Sequence, residues 1–251
     1  MKLILHGCNG AMGRVISDMC AAEPDIEIAA GVDLNTEQHY GYPVFSSMEA
    51  CDDVQADVIL DFSVAKAVDP VVAYAVSRKL PLVLCTTGLS EAQIASVSEA
   101  SAKTAVLRSG NMSLGMNLLM KLVAEGAKVL ADRGYDIEII EQHHHRKVDA
   151  PSGSALMLAD AANDACGGRF HYVYGRADRH EKRDADEIGI MSVRAGSIVG
   201  EHDVIFAGED EVITLKHSAY SRKIFAKGAL SAARFLSGKT SGLYSMADVI
   251  G

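Results

Sequence analysis

Cysteine is sparse in this 251-residue chain: Cys8, Cys20, Cys51, Cys85 and Cys166 are odd in number, scattered, and never in a C-x-x-C spacing. That pattern argues against a disulfide scaffold or a zinc ribbon and points to a reducing, cytoplasmic setting. Positive charge is also short. Lys and Arg total 24 against 33 Asp and Glu, a formal net charge of −9, so a uniformly basic nucleic-acid face is not expected. No apolar run approaches the roughly 18 residues of a membrane span. The opening Met1-Lys2-Leu3-Ile4-Leu5 leads straight into a strand-like segment, without the apolar core or cleavage site of a secretory signal. Repeats and low-complexity tracts are absent too. The expectation is a soluble cytoplasmic protein with neither nucleic acid nor membrane as partner.

What is present is material for a core. Apolar residues make up 49% and charged residues 23%, which suits one large domain or two of about 100–150 residues. The first half alternates short apolar runs with helical patterns. Lys2–His6, Ile26–Asp33, Asp57–Ser63, Leu82–Thr87 and Thr104–Ser109 read as strands. Ala11–Ala22, Ala67–Lys79 and Ser90–Lys103 read as helices. Continuous apolar strands separated by helices indicate an α/β fold, a parallel sheet covered on both faces. The rhythm then changes. A long helix (Leu114–Arg133), a strand (Asp136–His144) and a helix (Ser152–Cys166) precede a mixed-charge stretch, Arg176–Glu187, expected to face water as a solvated loop. Ile188–Arg194, Asp203–Ala207 and Glu211–His217 read as strands without intervening helices, an open antiparallel or mixed sheet. Ser221–Leu236 is a last helix, available to return to the first unit.

Two segments carry chemistry. Gly7-Cys8-Asn9-Gly10-Ala11-Met12-Gly13 links the first strand to the first helix. A loop with so little side-chain bulk lets backbone N–H groups and a helix N-terminus approach a pyrophosphate. The spacing departs from G-x-G-x-x-G. Asp33, however, ends the second strand about twenty residues beyond Gly13, where a carboxylate accepts hydrogen bonds from an adenosine ribose. That carboxylate repels a 2′-phosphate, and Leu34 and Asn35 offer no positive charge, so NADH is expected to serve at least as well as NADPH. Asp61-Phe62-Ser63 and Cys85-Thr86-Thr87-Gly88 end strands at the same edge, as ligand contacts or as simple turns.

The second segment is Glu141-Gln142-His143-His144-His145-Arg146-Lys147-Val148-Asp149-Ala150-Pro151-Ser152-Gly153-Ser154. An extended chain would put Glu141, His143, His145 and Lys147 on one face and Gln142, His144 and Arg146 on the other. Neighbouring cations lower each other's pKa, which suits proton donation near neutrality. Ser152 is placed to cap the following helix, whose first N–H groups at Gly153 and Ser154 form an anion site. The competing readings are a solvated polar loop and a metal site. The metal site is disfavoured because no ligand spacing completes it and Arg146 and Lys147 would repel the ion.

With both segments in view, the chain resembles the dihydrodipicolinate reductase family of bacterial lysine and diaminopimelate synthesis. The resemblance runs over nearly the full length. It rests on the Gly7–Gly13 loop, Asp61-Phe62, Thr86-Thr87-Gly88 and Asn111, and above all on Glu141-x-His143-His144-x-x-Lys147-x-Asp149-x-Pro151-Ser152-Gly153. Arg194-Ala195-Gly196-x-x-x-Gly200-Glu201-His202 adds a second signature. It implies a Rossmann-type parallel-sheet domain over 1–113 and 222–251. An α+β substrate and tetramerisation domain with an open mixed sheet would occupy 114–221 of a homotetramer. The implied activity is reduction of 4-hydroxy-tetrahydrodipicolinate, by way of dihydrodipicolinate, to tetrahydrodipicolinate by NADH, with NADPH as second candidate and no metal. By position, His143 corresponds to the general acid and Lys147 to its catalytic partner, while His144, Gly153 and Ser154 correspond to residues holding the substrate's carboxylates. Cofactor contacts would fall to Gly7, Cys8, Asn9, Gly10, Ala11, Met12, Asp33, Cys85, Thr86, Thr87, Ser109, Gly110, Asn111 and Met112. Departures from the family pattern are Ser154 for threonine, Cys85 for glycine, Leu34 for a frequent arginine and Ala11 for a frequent basic residue. Another nicotinamide-dependent reductase of a small dicarboxylate, or a non-catalytic NAD-binding protein, is the rival reading.

Overall fold

The computed structural model describes residues 1–251 and divides into two compact units, Met1–Leu114 with Arg222–Gly251, and Gly115–Ser221. The chain begins with β1 (Lys2–His6), α1 (Ala11–Cys20), β2 (Glu27–Val32), β3 (Val44–Phe45), β4 (Val58–Asp61), α2 (Val68–Arg78), β5 (Leu82–Leu84), α3 (Glu91–Ser101) and β6 (Ala105–Arg108). It continues through α4 (Leu114–Leu130), β7 (Asp136–His143), α5 (Gly153–Ala165), β8 (His171–Val173), β9 (Glu187–Arg194), β10 (Gly200–Ala207) and β11 (Val212–Ala219). It closes with α6 (Lys223–Leu236), β12 (Gly242–Tyr244) and α7 (Met246–Ile250). No helix is long and apolar enough to cross a membrane.

In the first unit seven strands lie in the order β12-β6-β5-β4-β1-β2-β3, every pair parallel. Side chains alternate across each strand. Leu3, Leu5, Val58, Leu60, Val83 and Leu107 therefore pack on one face with Ile16 of α1 and Ala229, Leu230 and Ala233 of α6. Ile4, Ile59, Leu82, Leu84 and Val106 pack on the other with Val71, Val72 and Ala75 of α2 and Val97 of α3. Both faces are covered, which is why these strands read as unbroken apolar runs. Returning α6 sits close. A Cβ at Gly228 would lie 1.6 Å from the Met112 carbonyl oxygen. The short edge strands β3 and β12, and β8 of the second unit, were not anticipated, because two or three residues carry no readable period.

In the second unit the sheet order is β11-β10-β7-β9-β8. β7 runs parallel to β9 and antiparallel to β10, so the sheet is mixed. Met116, Leu119 and Val123 of α4 and Ala155, Leu158 and Ala162 of α5 bury one face against Ile137, Ile139, Ile190, Val204 and Phe206.

The Arg176–Glu187 stretch is the largely exposed loop its composition suggests, but its three arginines turn inward. Arg176 donates to Glu138 at 2.6 and 3.0 Å and to Glu187 at 2.6 and 2.9 Å. Arg179 reaches Glu187 at 2.7 Å, and Arg183 reaches Glu138 at 2.9 Å and Asp136 at 2.8 Å. The physical reason is Glu187, whose side chain is fully buried. Burial opposes its ionisation, but the arginine hydrogen bonds outweigh that and hold its pKa down to about 2. A buried carboxylate needs such partners, so three arginines reach in from an otherwise exposed loop and clamp the start of β9 to β7.

The close approach at Gly228 has a measurable consequence. Gly228→Ala should destabilise the protein by about 1–3 kcal/mol, the usual range for overpacking, seen as a lower urea midpoint. An unchanged midpoint would mean that the backbone at Met112 yields freely.

Candidate active site

The carboxyl ends of the parallel strands gather most of the residues expected to meet a dinucleotide. β1 and β4 are neighbours whose connections run to opposite sides of the sheet, the switch point at which open α/β sheets bind ligands. Gly7 follows β1 with φ +80°, and a Cβ there would lie 2.5 Å from the Phe62 carbonyl oxygen. At Gly13 a Cβ would fall 2.3 Å from the Gly7 oxygen. Only glycine satisfies both positions. Gly10 precedes α1 without any side-chain cap, and the first helical turn carries no acidic residue, which leaves the positive end of the helix dipole open to an anion.

Asp33 stands just past β2. One of its oxygens accepts the Asn9 N–H at 3.0 Å and the other the Asn35 N–H at 3.1 Å. Asn9 also donates its side-chain amide to the Asn35 and Glu37 carbonyls at 2.6 and 2.9 Å, so the off-pattern residue in the loop stitches it to the segment after Asp33. Gly7, Gly10, Asp33, Leu34, Phe62 and Ser63 line a cavity of about 570 Å³. Leu34 is 94% exposed. Cys8 points its thiol into the core rather than the cavity, so only its backbone is available there. Cys85 and Thr86 follow β5 and are buried, and Thr87 is exposed beside them. Ser109 follows β6 and receives the Asn111 N–H on its hydroxyl at 3.2 Å, while Gly110 is exposed and Met112 buried. Ala11 and Met12 form the accessible start of α1. A glycine cradle that any Cβ would fill, an uncapped helix start and a carboxylate on the cavity wall fit a dinucleotide.

The histidine segment organises a second cluster, in the other unit. β7 ends at His143 and the chain turns at His145–Arg146, with the Lys147 N–H bonded to the His144 carbonyl at 3.0 Å. The expected alternation therefore stops at His143. His145 and Arg146 are exposed, and Lys147 comes back by the turn to pair with Asp149 at 2.7 Å.

At the centre is Glu141, with no exposed side-chain surface. Arg194 grips it with two bonds of 2.7 and 2.8 Å, His143 donates Nδ1–H at 2.6 Å, and the Ser152 N–H adds a fourth at 3.1 Å. Burial raises the cost of the charge, but hydrogen bonds from the Arg194, Ser192 and His143 side chains and the charge of Arg194 outweigh it and hold the Glu141 pKa down to about 2. His143 is pulled the other way. Burial lowers its pKa, Glu141 opposes that, and Lys147 and Arg194 lower it further. Ser152 caps α5 by accepting the Ala155 N–H at 3.1 Å and bonds Nε2 of His202 at 3.0 Å. His202 packs edge-on to His143 with ring centroids 5.2 Å apart, and burial, then His143, drive its pKa to about 3, so it is neutral.

Space remains beside this cluster. Nothing lies within 4 Å of where a Gly153 Cβ would be, and Gly153 is exposed at the start of α5 with Ser154 half-buried behind it. Nδ1 of His144 is buried without a hydrogen-bond partner. No group of three His, Cys, Asp or Glu side chains gathers as a metal cage would. Ser152 takes its expected place as the helix cap, while Arg194 and His202 belong to the cluster without having been assigned to it. Their signal was the Arg194–His202 motif, whose meaning depends on β9 and β10 flanking β7.

Strand order and the glycine turn at the switch point define the class first, a protein with a Rossmann-type dinucleotide-binding unit. Family models described as "Dihydrodipicolinate reductase, N-terminus" and "Dihydrodipicolinate reductase, C-terminus" match residues 1–112 and 115–250. A 4-hydroxy-tetrahydrodipicolinate reductase of Caldanaerobacter subterraneus subsp. tengcongensis is 52% identical over 250 residues, covering 100% of this chain and 98% of its own. Its counterpart in Clostridium tetani is 46% identical over 246 residues, covering 98% and 95%. A dipicolinate-bound dihydrodipicolinate reductase from Paenisporosarcina sp. TG-14 superposes with a TM-score of 0.82 at 25% identity, over 98% of this chain and 97% of that one. The chain belongs to the dihydrodipicolinate reductase family.

The depressed Glu141 pKa sets an acid limit. Its contribution, about 3 kcal/mol from the shift, is present above the ordinary carboxyl range near 4.5 and is lost as the pH falls toward 2. Glu141→Gln should therefore be clearly less stable than wild type at pH 7 by urea unfolding, with the gap closing toward pH 2. A gap independent of pH would contradict the ion-pair account.

Proposed function

We propose that this protein reduces 4-hydroxy-tetrahydrodipicolinate, by way of dihydrodipicolinate, to tetrahydrodipicolinate, using NADH at least as well as NADPH. The observation that carries the reading is His143, buried at a strand end, with Nδ1 tied to a carboxylate and two cations acting on it. The dinucleotide is assigned to the first unit, with the backbone of Gly7–Met12 taking its phosphates and Asp33 its adenosine ribose. Cys85–Thr87 and Ser109–Met112 would contact the rest. Asp33 and exposed Leu34 favour an unphosphorylated ribose. When bound, the nicotinamide supplies hydride to the substrate ring.

The chain's own groups do the remaining work. The substrate carries two carboxylates, and His144, Gly153 and Ser154 are assigned to bind them. The open start of α5 and the partnerless Nδ1 of His144 support that assignment. Because Nδ1–H of His143 is donated to Glu141, a transferable proton has to sit on Nε2, and it does so only in the imidazolium. Burial lowers the pKa of the free enzyme's ring below its ordinary 6.5. A dianion arriving beside it favours the charged form, so substrate binding loads the acid. The enamine left by hydride addition then takes its proton from Nε2 of His143 or from Lys147 Nζ. Fixing the two carboxylates also orients the ring, which is worth several kcal/mol in reactions of this kind.

The second unit's sheet keeps both of its helices on one face, and Val193, Val212 and Ile213 are exposed at strand positions. Assembly into a homotetramer through that sheet is consistent with this, and all five thiols being free fits a cytoplasmic location.

His143→Gln and Lys147→Ala should each lower kcat by about 10²–10³-fold with a much smaller rise in KM. Wild-type turnover in either variant would remove that residue from the chemistry. In wild type, kcat/KM should fall as pH rises through a value below 6.5, and His143→Gln should lack that limb. Side-by-side assays should give kcat/KM for NADH at least equal to NADPH. A tenfold preference for NADPH would overturn the assignment to Asp33. Pyridine-2,6-dicarboxylate should compete with substrate.

A further inference from the structure

A second buried imidazole–carboxylate pair lies at the carboxyl edge of the seven-stranded sheet, and the reaction described above makes no use of it. His6 and Asp61 are the last residues of β1 and β4 and stand opposite each other in the parallel register. Asp61 has no exposed side-chain surface. One of its oxygens accepts His6 Nδ1–H at 2.7 Å and the other accepts the Thr86 hydroxyl at 2.6 Å. Thr86 is in turn 3.4 Å from the Ser63 hydroxyl. A carboxylate can only accept, so the inward bond fixes the proton on Nδ1 and turns Nε2 to the opposite edge of the ring. His6 lines the 570 Å³ cavity together with Gly7, Gly10 and Asp33, and Nε2 is its remaining polar atom. The other charged groups on that wall are Asp33, Glu49 and Lys66.

A buried pair of this kind is poor structural filler, since apolar side chains of the same volume usually stabilise as well or better. His6 also immediately precedes the glycine turn. We propose that His6 is a cofactor-contacting residue whose Nε2 hydrogen-bonds an anionic oxygen of the dinucleotide's pyrophosphate, with Asp61 and Thr86 as positioning residues. The proposal rests on the reading that the dinucleotide occupies this cavity. Phosphate oxygens only accept, so the ring in contact with them is the imidazolium, shared between two anions. Asp33 serves the ribose one strand further along, which separates the two contacts.

Two substitutions isolate the outward nitrogen. His6→Asn sets an amide N–H near the place of Nδ1, keeping the bond to Asp61 while deleting Nε2. His6→Gln carries its amide out to the place of Nε2. Binding of NADH, ADP-ribose and adenosine to the full-length protein is measured by fluorescence and calorimetry without substrate. His6→Asn should weaken NADH and ADP-ribose about tenfold or more, as expected for a hydrogen bond to a charged group. It should leave adenosine unchanged, and His6→Gln should recover most of the loss. Wild-type affinity of His6→Asn for both pyrophosphates would overturn the contact, as would an equal loss of adenosine. Failure of wild type itself to bind NADH would overturn the occupancy reading and the proposal with it. Should His6→Asn not fold, nitrogen-15 histidine spectra of wild type decide. The His6 Nε2 resonance moves with ADP-ribose and not with adenosine, and an unmoved resonance sinks the proposal.

Discussion

A carboxylate cut off from water must be saturated with donors, and Glu141 meets that demand with a paired grip from Arg194 and further bonds from His143 and the Ser152 backbone. Each donor comes from a different part of the second unit. Arg194 ends β9, His143 ends β7, and Ser152 is the cap of α5. The single charge therefore sets the ring orientation of His143, the start of the helix beside it and the meeting of two strand ends. Removing it would leave a guanidinium half-buried and unpaired, which is why breaking such a pair costs more than the pair itself contributes.

The arrangement also governs which protons can move. With Nδ1 of His143 held on Glu141, every proton exchange of that imidazole passes through Nε2, and Gly200 stands directly behind it. A Cβ at Gly200 would lie 3.0 Å from Nε2. His202, kept neutral by burial, fills the adjacent space without adding charge. The cluster is thus a graded set: a buried anion with the guanidinium that pairs it, one histidine poised to titrate with Lys147 acting on it, and one histidine that stays neutral.

The first unit solves a similar problem with backbone instead of side chains. Its glycine turn fits because Gly7 and Gly13 bring carbonyls and N–H groups nearer than a Cβ permits, and the uncapped start of α1 supplies positive potential without a formal charge. Where a side-chain charge is buried there, at Asp61, it again carries an imidazole and a hydroxyl as donors. In both units, polar groups at strand ends are held by partners on neighbouring strands.

Much of this was readable in the chain. Unbroken apolar runs, helical stripes and a glycine turn followed by an acid are properties of residues close together in sequence, and they gave the alternating α/β unit and the mixed sheet after it. The Glu141–Gly153 signature carried the family resemblance by itself. Three things were not readable. Alternation along 141–147 failed because a strand's end depends on its neighbours, and the turn at His145 redirects Lys147. Within the exposed loop at 176–187, composition does not reveal that Glu187 is buried and draws three arginines inward. Arg194 pairs with Glu141 across 53 residues, and His6 with Asp61 across 55. Periodicity and turn chemistry act over a few residues and are written locally. Which cation meets which buried anion is decided only when strands far apart in the chain take adjacent places and water is excluded between them.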